Sequence, residues 1–284
     1  MQKIKRAIPW WLKLGIKVIT PLAPVPKEFL FKTHIFKHGE MQDPEYALKV
    51  FHSHYDIAKP YVPDAFSILE LGPGDSLATS VISTAYGASK VYLVDVAAFA
   101  RVDGDSYNPL LKMLNSDRLP KQFSSLNEMM EATNCTYLVN GLASLREIPT
   151  ESIDISFSHS VLEHVYLDEF EATIAELFRV MKSGGISSHS IDLKDHFDYS
   201  LNSLRFSHQV WESQLFRNAS FYTNRLRVNT IVDIFECMGF EVLEREDRTW
   251  EQLPLPKRKL HADFQKLSDT ELCTSGVALA LKKP

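Results

Sequence analysis

Ser67-Ile68-Leu69-Glu70-Leu71-Gly72-Pro73-Gly74-Asp75 is the stretch that decides the fold. Its first five residues are mostly apolar, which indicates a short buried strand, and the strand ends at once in a Gly-Pro-Gly bend. Glycine has no Cβ, so the backbone of such a bend can approach a ligand closely. The helical pattern over residues 76–86 completes a strand–loop–helix unit.

The same alternation continues through the middle of the chain and predicts a parallel sheet covered on both faces. Further strand patterns lie at 91–94, 137–139, 153–157 and 186–191, and helical patterns lie near 108–115, 123–133, 167–182 and 226–238. We expect Gly184-Gly185 to end the helix at 167–182. Two late strands, 240–243 and 276–281, have no helical pattern between them and predict an antiparallel pair at the sheet edge. The predicted fold is therefore a doubly wound α/β domain with a mostly parallel seven-stranded sheet and an antiparallel last strand.

Residues 1–60 are predicted to form a basic, amphipathic, helical N-terminal extension, and residues 61–284 the α/β domain. Within the extension, Asp43-Pro44 predicts the start of a helix, with Asp43 as the cap and Pro44 in the first turn. Every charged residue before Glu28 is basic, and tryptophans at positions 10 and 11 lie among them. Such a segment can lie on an anionic membrane surface, so peripheral membrane contact through residues 1–20 is one hypothesis. The other is a helix that packs on the domain or on a second subunit. Residues 195–224, rich in aromatic and polar groups, are predicted to be an insertion that forms a lid or an acceptor pocket.

The bulk composition narrows the classes of function. A net charge of -5 provides no overall basic field for nucleic acid, and 45% hydrophobic residues suit a globular enzyme with a buried cleft. The three cysteines, Cys135, Cys237 and Cys273, are too widely spaced for a disulfide framework or a zinc knuckle. We therefore expect a cytoplasmic location; the sequence leaves the oligomeric state open.

Asp95 follows the second strand, where a carboxylate can accept hydrogen bonds from both ribose hydroxyls of a nucleoside. A dinucleotide fingerprint needs a third glycine, and Leu77 stands at that position. Glu70, just before the first glycine, would repel a diphosphate but suits a cationic ligand such as S-adenosylmethionine (SAM). SAM is the predicted cofactor, and a nicotinamide oxidoreductase remains an alternative.

Four motifs in the same order resemble class I SAM-dependent methyltransferases over residues 65–195. They are Glu70-Leu71-Gly72-Pro73-Gly74, Asp95, Ser160-Val161-Leu162-Glu163-His164 and Met181-Lys182-Ser183-Gly184-Gly185. Ser76 replaces the further glycine that many members carry. The resemblance implies that the chain is an enzyme and that residues 61–284 are its methyltransferase domain.

The resemblance also implies the roles of individual residues. Glu70, Gly72, Pro73 and Gly74 would line the methionine end of SAM, and Asp95 would hold the ribose. The adenine would lie near Asn140, Gly141 and Leu142, and the methyl group would face Ser158 and His159.

Transfer to a hydroxyl requires a base, and histidine is the usual one because it titrates near neutrality. The candidate catalytic residues are His189, His196 and His159, whereas His164 is expected to be structural. Asp192, Asp195 and His196 offer metal-ligand atoms without a tight motif, so no metal is predicted.

The predicted acceptor is a small molecule or a glycan. The run from Ile186 to His196, with the insertion after it, resembles methyltransferases that modify bacterial surface polysaccharides and sugars. It favours O-methylation of a saccharide or glycolipid. The alternative from another class is a membrane-attached binding protein of the same fold without turnover.

Overall fold

The computed structural model describes residues 9–19, 40–100, 103–219 and 221–284, with only the backbone of residues 16–19. Residues 1–8 and 20–39 of the predicted N-terminal extension lie outside the described residues. Of the proposed membrane-contact segment, only its second half is therefore described.

Seven strands form one mixed sheet. They are β1 (Ser67–Leu71), β2 (Lys90–Val94), β3 (Cys135–Leu138), β4 (Ile153–His159), β5 (Met181–Asp192), β6 (Glu241–Thr249) and β7 (Thr274–Lys282). Their order across the sheet is β3-β2-β1-β4-β5-β7-β6. Neighbouring strands from β3 to β5 run parallel, and β7 runs antiparallel to both β5 and β6. The predicted fold class, with its reversed last strand and an antiparallel pair at one edge, is confirmed.

The helices of the described chain fall into long ones that cover the sheet and short ones in the loops. They are α1 (Trp10–Ile19), α2 (Pro44–Ala58), α3 (Ala78–Ala85), α4 (Asn108–Leu114), α5 (Leu126–Ala132), α6 (Leu142–Glu147), α7 (Phe170–Val180), α8 (His208–Trp211), α9 (Gln214–Arg217), α10 (Val228–Cys237), α11 (Ala262–Gln265) and α12 (Asp269–Cys273). Single 3-10 turns lie at Lys59–Tyr61, Gly104–Tyr107, Leu162–His164, Asn202–Arg205 and Lys257–Lys259.

Alternate residues of each strand enter two separate cores, as the period of two in a strand requires. Ile68 faces a core that α2, α3, α4 and α5 complete, and Leu69 faces a second core that α6, α7 and α10 complete. Both faces of the sheet are therefore covered, and the carboxyl ends of the parallel strands share one edge.

Helix α2 belongs with the sheet rather than with the predicted extension. The Asp43 carboxylate caps it by accepting the backbone N–H groups of Glu45 and Tyr46, and Pro44 occupies the first turn, as predicted. Phe51 and Val50 are buried in the first core, so this helix contributes directly to the fold of the domain. The predicted domain boundary between residues 60 and 61 and the predicted limits of the insertion at residues 195–224 remain predictions.

The prediction that Gly184-Gly185 ends a helix is wrong. Helix α7 ends at Val180, and β5 begins at Met181 and contains both glycines. Gly184 N–H donates to the Lys283 carbonyl at 2.7 Å, and Lys283 N–H donates to the Gly185 carbonyl at 3.1 Å. A Cβ on Gly185 would lie 3.0 Å from the Asp154 carbonyl oxygen, so the glycine allows a close approach of two strands.

The predicted insertion folds around a small aromatic core of its own, and α1 packs on it. Trp10 stacks on Phe197 with ring centroids 6.0 Å apart, and Leu14 is buried in the same cluster as Trp211. Lys13 Nζ lies 3.1 Å from Asp198 Oδ1. In the described part of the chain, the helices are too short or too polar to cross a membrane.

Candidate active site

The glycine bend and Asp95 meet at the carboxyl end of the parallel strands. Gly72 N–H donates to the Val94 carbonyl at 2.7 Å, which joins the bend to the end of β2. Gly74 N–H donates to Asp95 Oδ2 at 3.1 Å, and Val96 N–H donates to Asp95 Oδ1 at 2.7 Å. These bonds bring together the two motifs that the sequence assigned to one ligand.

Gly72 occupies a position that no other residue tolerates well. Its φ is +69°, in the left-handed region, and a Cβ there would overlap the side chain of Val161. Val161 precedes the 3-10 turn Leu162–His164, so this turn lies directly against the bend.

A cavity of about 270 Å³ opens beside the bend and Asp95. Its volume is close to the lower end of ligand pockets, about 300 Å³. Of the predicted cofactor residues, it is lined by Gly72, Asp95, Gly141 and Leu142. His164, Val165 and Tyr166 of the segment after β4, and Tyr222 of the insertion, line it as well. The predicted cofactor residues and the insertion therefore share this cavity.

The remaining predicted cofactor residues do not line this cavity. Pro73 and Gly74 form the bend, and Asn140 N–H donates to Ser144 Oγ at 2.9 Å at the start of α6. Glu70 is buried beside Thr79, and its Oε2 has no hydrogen-bond partner. Burial raises the pKa of Glu70 to about 8; the neighbouring Thr79 hydroxyl lowers it, and the negative charge of Asp95 raises it further. A buried acid with an unsatisfied oxygen next to the bend fits a cationic ligand.

The prediction that His189 is a catalytic base is not supported by its position. The strand β5 extends to Asp192, so His189 lies in mid-strand and is 0% exposed. Its Nδ1 bonds Ser158 Oγ at 2.8 Å, and its Nε2 bonds Ser187 Oγ at 2.7 Å. Burial lowers the pKa of His189 to about 3. His189 is therefore a neutral core residue, and Ser158, which bonds it, is buried as well.

His159, in contrast, lies at the end of β4 and is partly exposed. Its Nδ1 is 3.3 Å from Nε2 of His54, and His54 Nδ1 is 2.8 Å from Ser188 Oγ. Burial, followed by the nearby positive charge of Arg248, lowers the pKa of His159. His54 was not singled out by the sequence, because its helix α2 precedes the sheet and only the fold brings it to β4.

His196 belongs to a different group of side chains, with Glu163 and His164. One ligand atom from each of the three lies within 4.8 Å of the others, and the two imidazole rings are 4.7 Å apart. Asp195, which the sequence offered as a ligand beside His196, is turned away. Its buried carboxylate accepts backbone N–H groups of its own loop, from Phe197, Asp198, Ser200 and Asn202.

The end of the insertion fixes the turn that carries Glu163 and His164. Asn224 N–H donates to the Glu163 carbonyl at 2.7 Å, and its side-chain amide donates to the carbonyls of Leu162 and Val165 at 2.8 and 3.1 Å. His164 Nδ1 donates to the Tyr222 carbonyl at 2.7 Å. The insertion therefore positions one wall of the cavity, which is the role that a lid or acceptor pocket requires.

Comparison with known families points to one chemistry for this site. Residues 69–188 match the family model described as a methyltransferase domain. The matched stretch includes the glycine bend, Asp95 and the turn with Glu163 and His164. No curated protein sequence matches the chain.

Solved structures of similar fold include methyltransferases with different acceptors. A SAM-dependent methyltransferase from Listeria monocytogenes is 14% identical, covers 81% of this chain and 97% of its own, and has a TM-score of 0.45. Geranyl diphosphate C-methyltransferase from Streptomyces coelicolor is 14% identical, and the match covers 81% of this chain and 78% of that enzyme, with a TM-score of 0.46. Phosphoethanolamine N-methyltransferase 2 from Haemonchus contortus is 15% identical, and the match covers 82% of this chain and 53% of that enzyme, with a TM-score of 0.47. Because all three TM-scores are below 0.5, these structures provide no argument about the acceptor of this chain.

Proposed function

We propose, from the premise that residues 69–188 form a class I SAM-dependent methyltransferase domain, that this chain transfers a methyl group to a hydroxyl oxygen of a small acceptor. The observation that carries the proposal is the 3.1 Å bond between Gly74 N–H and Asp95 Oδ2. It joins the glycine bend to the ribose-binding acid beside a cavity, in an arrangement suited to a nucleoside.

The residues around the bend suit SAM in particular. Asp95 would accept the ribose hydroxyls, Gly141 and Leu142 would pack on the adenine, and Glu70 would balance the positive charge. When bound, SAM supplies a methyl group on a sulfonium, which is a good leaving group. The protein has to align an acceptor oxygen, exclude water and remove the hydroxyl proton.

His159 is the base that the arrangement supports best. If His54 donates its Nδ1 proton to Ser188 Oγ, then His54 Nε2 accepts from His159 Nδ1–H and the lone pair of His159 lies on Nε2. The lowered pKa of His159 keeps its imidazole neutral near pH 7, which is the form that accepts a proton. His54 acts as a positioning residue in this scheme.

A saccharide hydroxyl, free or on a glycolipid, is the acceptor class that we propose. The aromatic rings of Tyr166 and Tyr222 line the cavity that Asp95 also lines, with centroids 5.3 Å apart. Tyrosine combines an apolar face with a polar tip, and such side chains suit the mixed surface of a sugar. The resemblance of residues 186–196 to sugar-modifying methyltransferases favours the same class.

Peripheral contact with a membrane is a further part of this proposal. On α1, Trp10 and Leu14 pack inward, whereas Trp11 is 60% and Leu12 43% exposed. An exposed tryptophan beside basic residues suits an anionic lipid surface, where a glycolipid acceptor would be available. Sedimentation of the full chain with anionic liposomes tests this part: Trp11→Ala is expected to weaken binding, and an unchanged bound fraction would contradict it.

The test of the main proposal is methyl transfer to a pool of oligosaccharides and glycolipids, followed by mass spectrometry. We expect products heavier by one methyl group, and a kcat about 10²- to 10⁴-fold lower for His159→Gln. His52→Gln, on the outer side of α2, is the matched control. Binding of S-adenosylhomocysteine (SAH) without methylation of any pool would favour the binding-protein alternative, and unchanged kcat in His159→Gln would remove His159 as the base.

A further inference from the structure

Glu163 is a buried acid whose hydrogen bonding is incomplete. It is 2% exposed, and neither carboxyl oxygen has a hydrogen bond of standard geometry. Burial raises its pKa to about 8; the neighbouring Asp192 raises it further, while the N–H groups of Glu163 and Asp192 and the positive charge of Arg248 lower it. Buried polar groups are almost always satisfied, so an unsatisfied carboxyl group requires an explanation.

His164, the next residue, is held in the manner of a metal ligand. Its Nδ1–H donates to the Tyr222 carbonyl at 2.7 Å, which places the lone pair of the neutral ring on Nε2. Histidines that bind metals usually donate their other ring nitrogen to a carbonyl or carboxylate in this way. The Tyr222 carbonyl is itself held in place, because Trp211 Nε1 donates to the adjacent Thr223 carbonyl at 2.8 Å.

His196 reaches the same point from the loop after β5. The Asp195 carboxylate accepts four backbone N–H groups of that loop, at 2.7 to 3.2 Å, and so fixes the backbone on which His196 is carried. Hydrogen bonds therefore fix both the turn that carries His164 and the loop that carries His196.

We propose that Glu163, His164 and His196 bind a divalent first-row transition-metal ion at the edge of the cofactor cavity. Their ligand atoms lie within 4.8 Å of one another, and within the described residues no other three His, Cys, Asp or Glu side chains converge in this way. Tetrahedral bonds of about 2.0–2.1 Å place ligand atoms about 3.4 Å apart, so small side-chain rotations close the set around an ion.

The chemistry of the donors selects the kind of ion. Two imidazoles and one carboxylate suit Zn²⁺, Mn²⁺, Fe²⁺ or Co²⁺, whereas Mg²⁺ and Ca²⁺ favour all-oxygen sites. Three protein ligands leave at least one coordination position open, which is the mark of a site that binds a substrate atom.

The proposed role of the ion follows from its position beside the cofactor cavity, and this step rests on the proposed function. His164 and Tyr222 line the cavity that also contains Gly72 and Asp95. An acceptor hydroxyl bound to the ion at this wall would be fixed in orientation, and its pKa would be lowered. Its proton would pass to a base, for which His159 is the candidate. The ion would therefore bind the acceptor, while Asp95 and the bend hold the methyl donor.

The experiment uses the full chain after removal of metals with a chelator and dialysis. Titration with Co²⁺ is followed by visible d–d absorption, and titration with Zn²⁺ by calorimetry. We expect one ion per chain in the wild type, and affinity at least 10- to 100-fold weaker in Glu163→Gln and in His196→Asn. His52→Asn is the control, because it removes an exposed histidine elsewhere.

Thermal unfolding distinguishes the loss of metal binding from the loss of the folded structure. Zn²⁺ is expected to raise the Tm of the wild type and of His52→Asn but not of the two site variants. Glu163→Gln replaces the buried acid by a neutral group of the same size, so it should remain folded. Wild-type affinity in both folded site variants, or no binding by the wild type, would overturn the proposal. Parallel titrations with SAH separate this failure from a failure of the proposed function, because SAH binding does not require the three ligands.

Discussion

Asp95 connects the two halves of the cofactor site, because one oxygen accepts Gly74 N–H and the other accepts Val96 N–H. Replacement by asparagine keeps the size and removes the charge. A hydrogen bond to a charged group is worth about 1.5–3 kcal/mol, so SAH affinity should fall roughly 10- to 150-fold in Asp95→Asn. Calorimetric titration measures this, with Asp117→Asn as an exposed control. Affinity within twofold of wild type would exclude Asp95 from the site.

Glu70 makes stability depend on pH in an unusual direction. Its pKa in the folded protein is about 8, above the ordinary 4.5, so the folded state retains a proton that the unfolded state releases between these values. Stability should therefore fall as pH rises from about 5 to 8, by at most about 1.4 kcal/mol per pH unit. In Glu70→Gln this slope should be shallower.

Urea unfolding at several pH values measures the effect of Glu70. Glu163 has a similarly raised pKa and contributes in the same direction, so the slope is reduced rather than abolished. Glu131→Gln, an exposed position on α5, provides the control. Equal slopes in wild type and Glu70→Gln would show that Glu70 is ionised in the folded protein.

Single residues differ in how far the sequence alone could place them. Asp95 and Gly72 follow strands whose order is fixed by the α/β alternation, so their meeting was predictable. The side chain of His189 was expected in the crevice but is buried in mid-strand, because β5 pairs with β7 along the whole stretch from Ile186 to Asp192. His54 and His196 acquire their partners only through tertiary packing, which no local pattern encodes.

At the scale of elements, α1 and the insertion depend on each other. Trp10 contacts Phe197 and Phe206, and the Arg205 guanidinium lies 4.9 Å above its ring, whereas Trp11 is mainly exposed. Of the two hypotheses for this segment, packing on the domain is therefore observed for α1. Membrane contact through its outer face remains a proposal.

The adjacent tryptophans give a matched pair for testing this packing. Trp10→Ala removes buried aromatic contacts and should lower the free energy of unfolding by up to about 3 kcal/mol. Trp11→Ala should change it by less than about 0.5 kcal/mol, as for other surface positions. Chemical unfolding measures both values. Equal effects of the two substitutions would mean that α1 does not dock through Trp10.

Element boundaries were predicted best where a glycine, a proline or a cap residue marks them. β1 was predicted over residues 67–71, and α2 was predicted from its Asp43-Pro44 start. The start of β5 was predicted too late in the chain, because Gly184-Gly185 is a pair typical of a helix end. Here the two glycines form backbone hydrogen bonds with Lys283, just after β7. The partner strand lies about a hundred residues away in sequence, so the local signal pointed to the commoner use of glycine.

For the whole molecule, the sheet order places the glycine bend, Asp95 and the turn at Leu162–His164 at the carboxyl edge of the parallel strands, whereas the motif at residues 181–185 lies at the amino end of β5. The family model described as a methyltransferase domain matches residues 69–188, the stretch that contains all four motifs on which the predicted resemblance depends. The arrangement of residues 195–224 could not be predicted in the same way, because their contacts with the turn at Leu162–His164 arise only in the folded chain.

The central claim is that the bend at Gly72-Pro73-Gly74 and Asp95 bind SAM rather than a dinucleotide. The most direct test is calorimetric titration of the full chain with SAH and, separately, with NADH. One SAH molecule should bind per chain with micromolar affinity, and NADH should give no saturable heat. Saturable NADH binding, or no SAH binding at millimolar concentration, would contradict the claim.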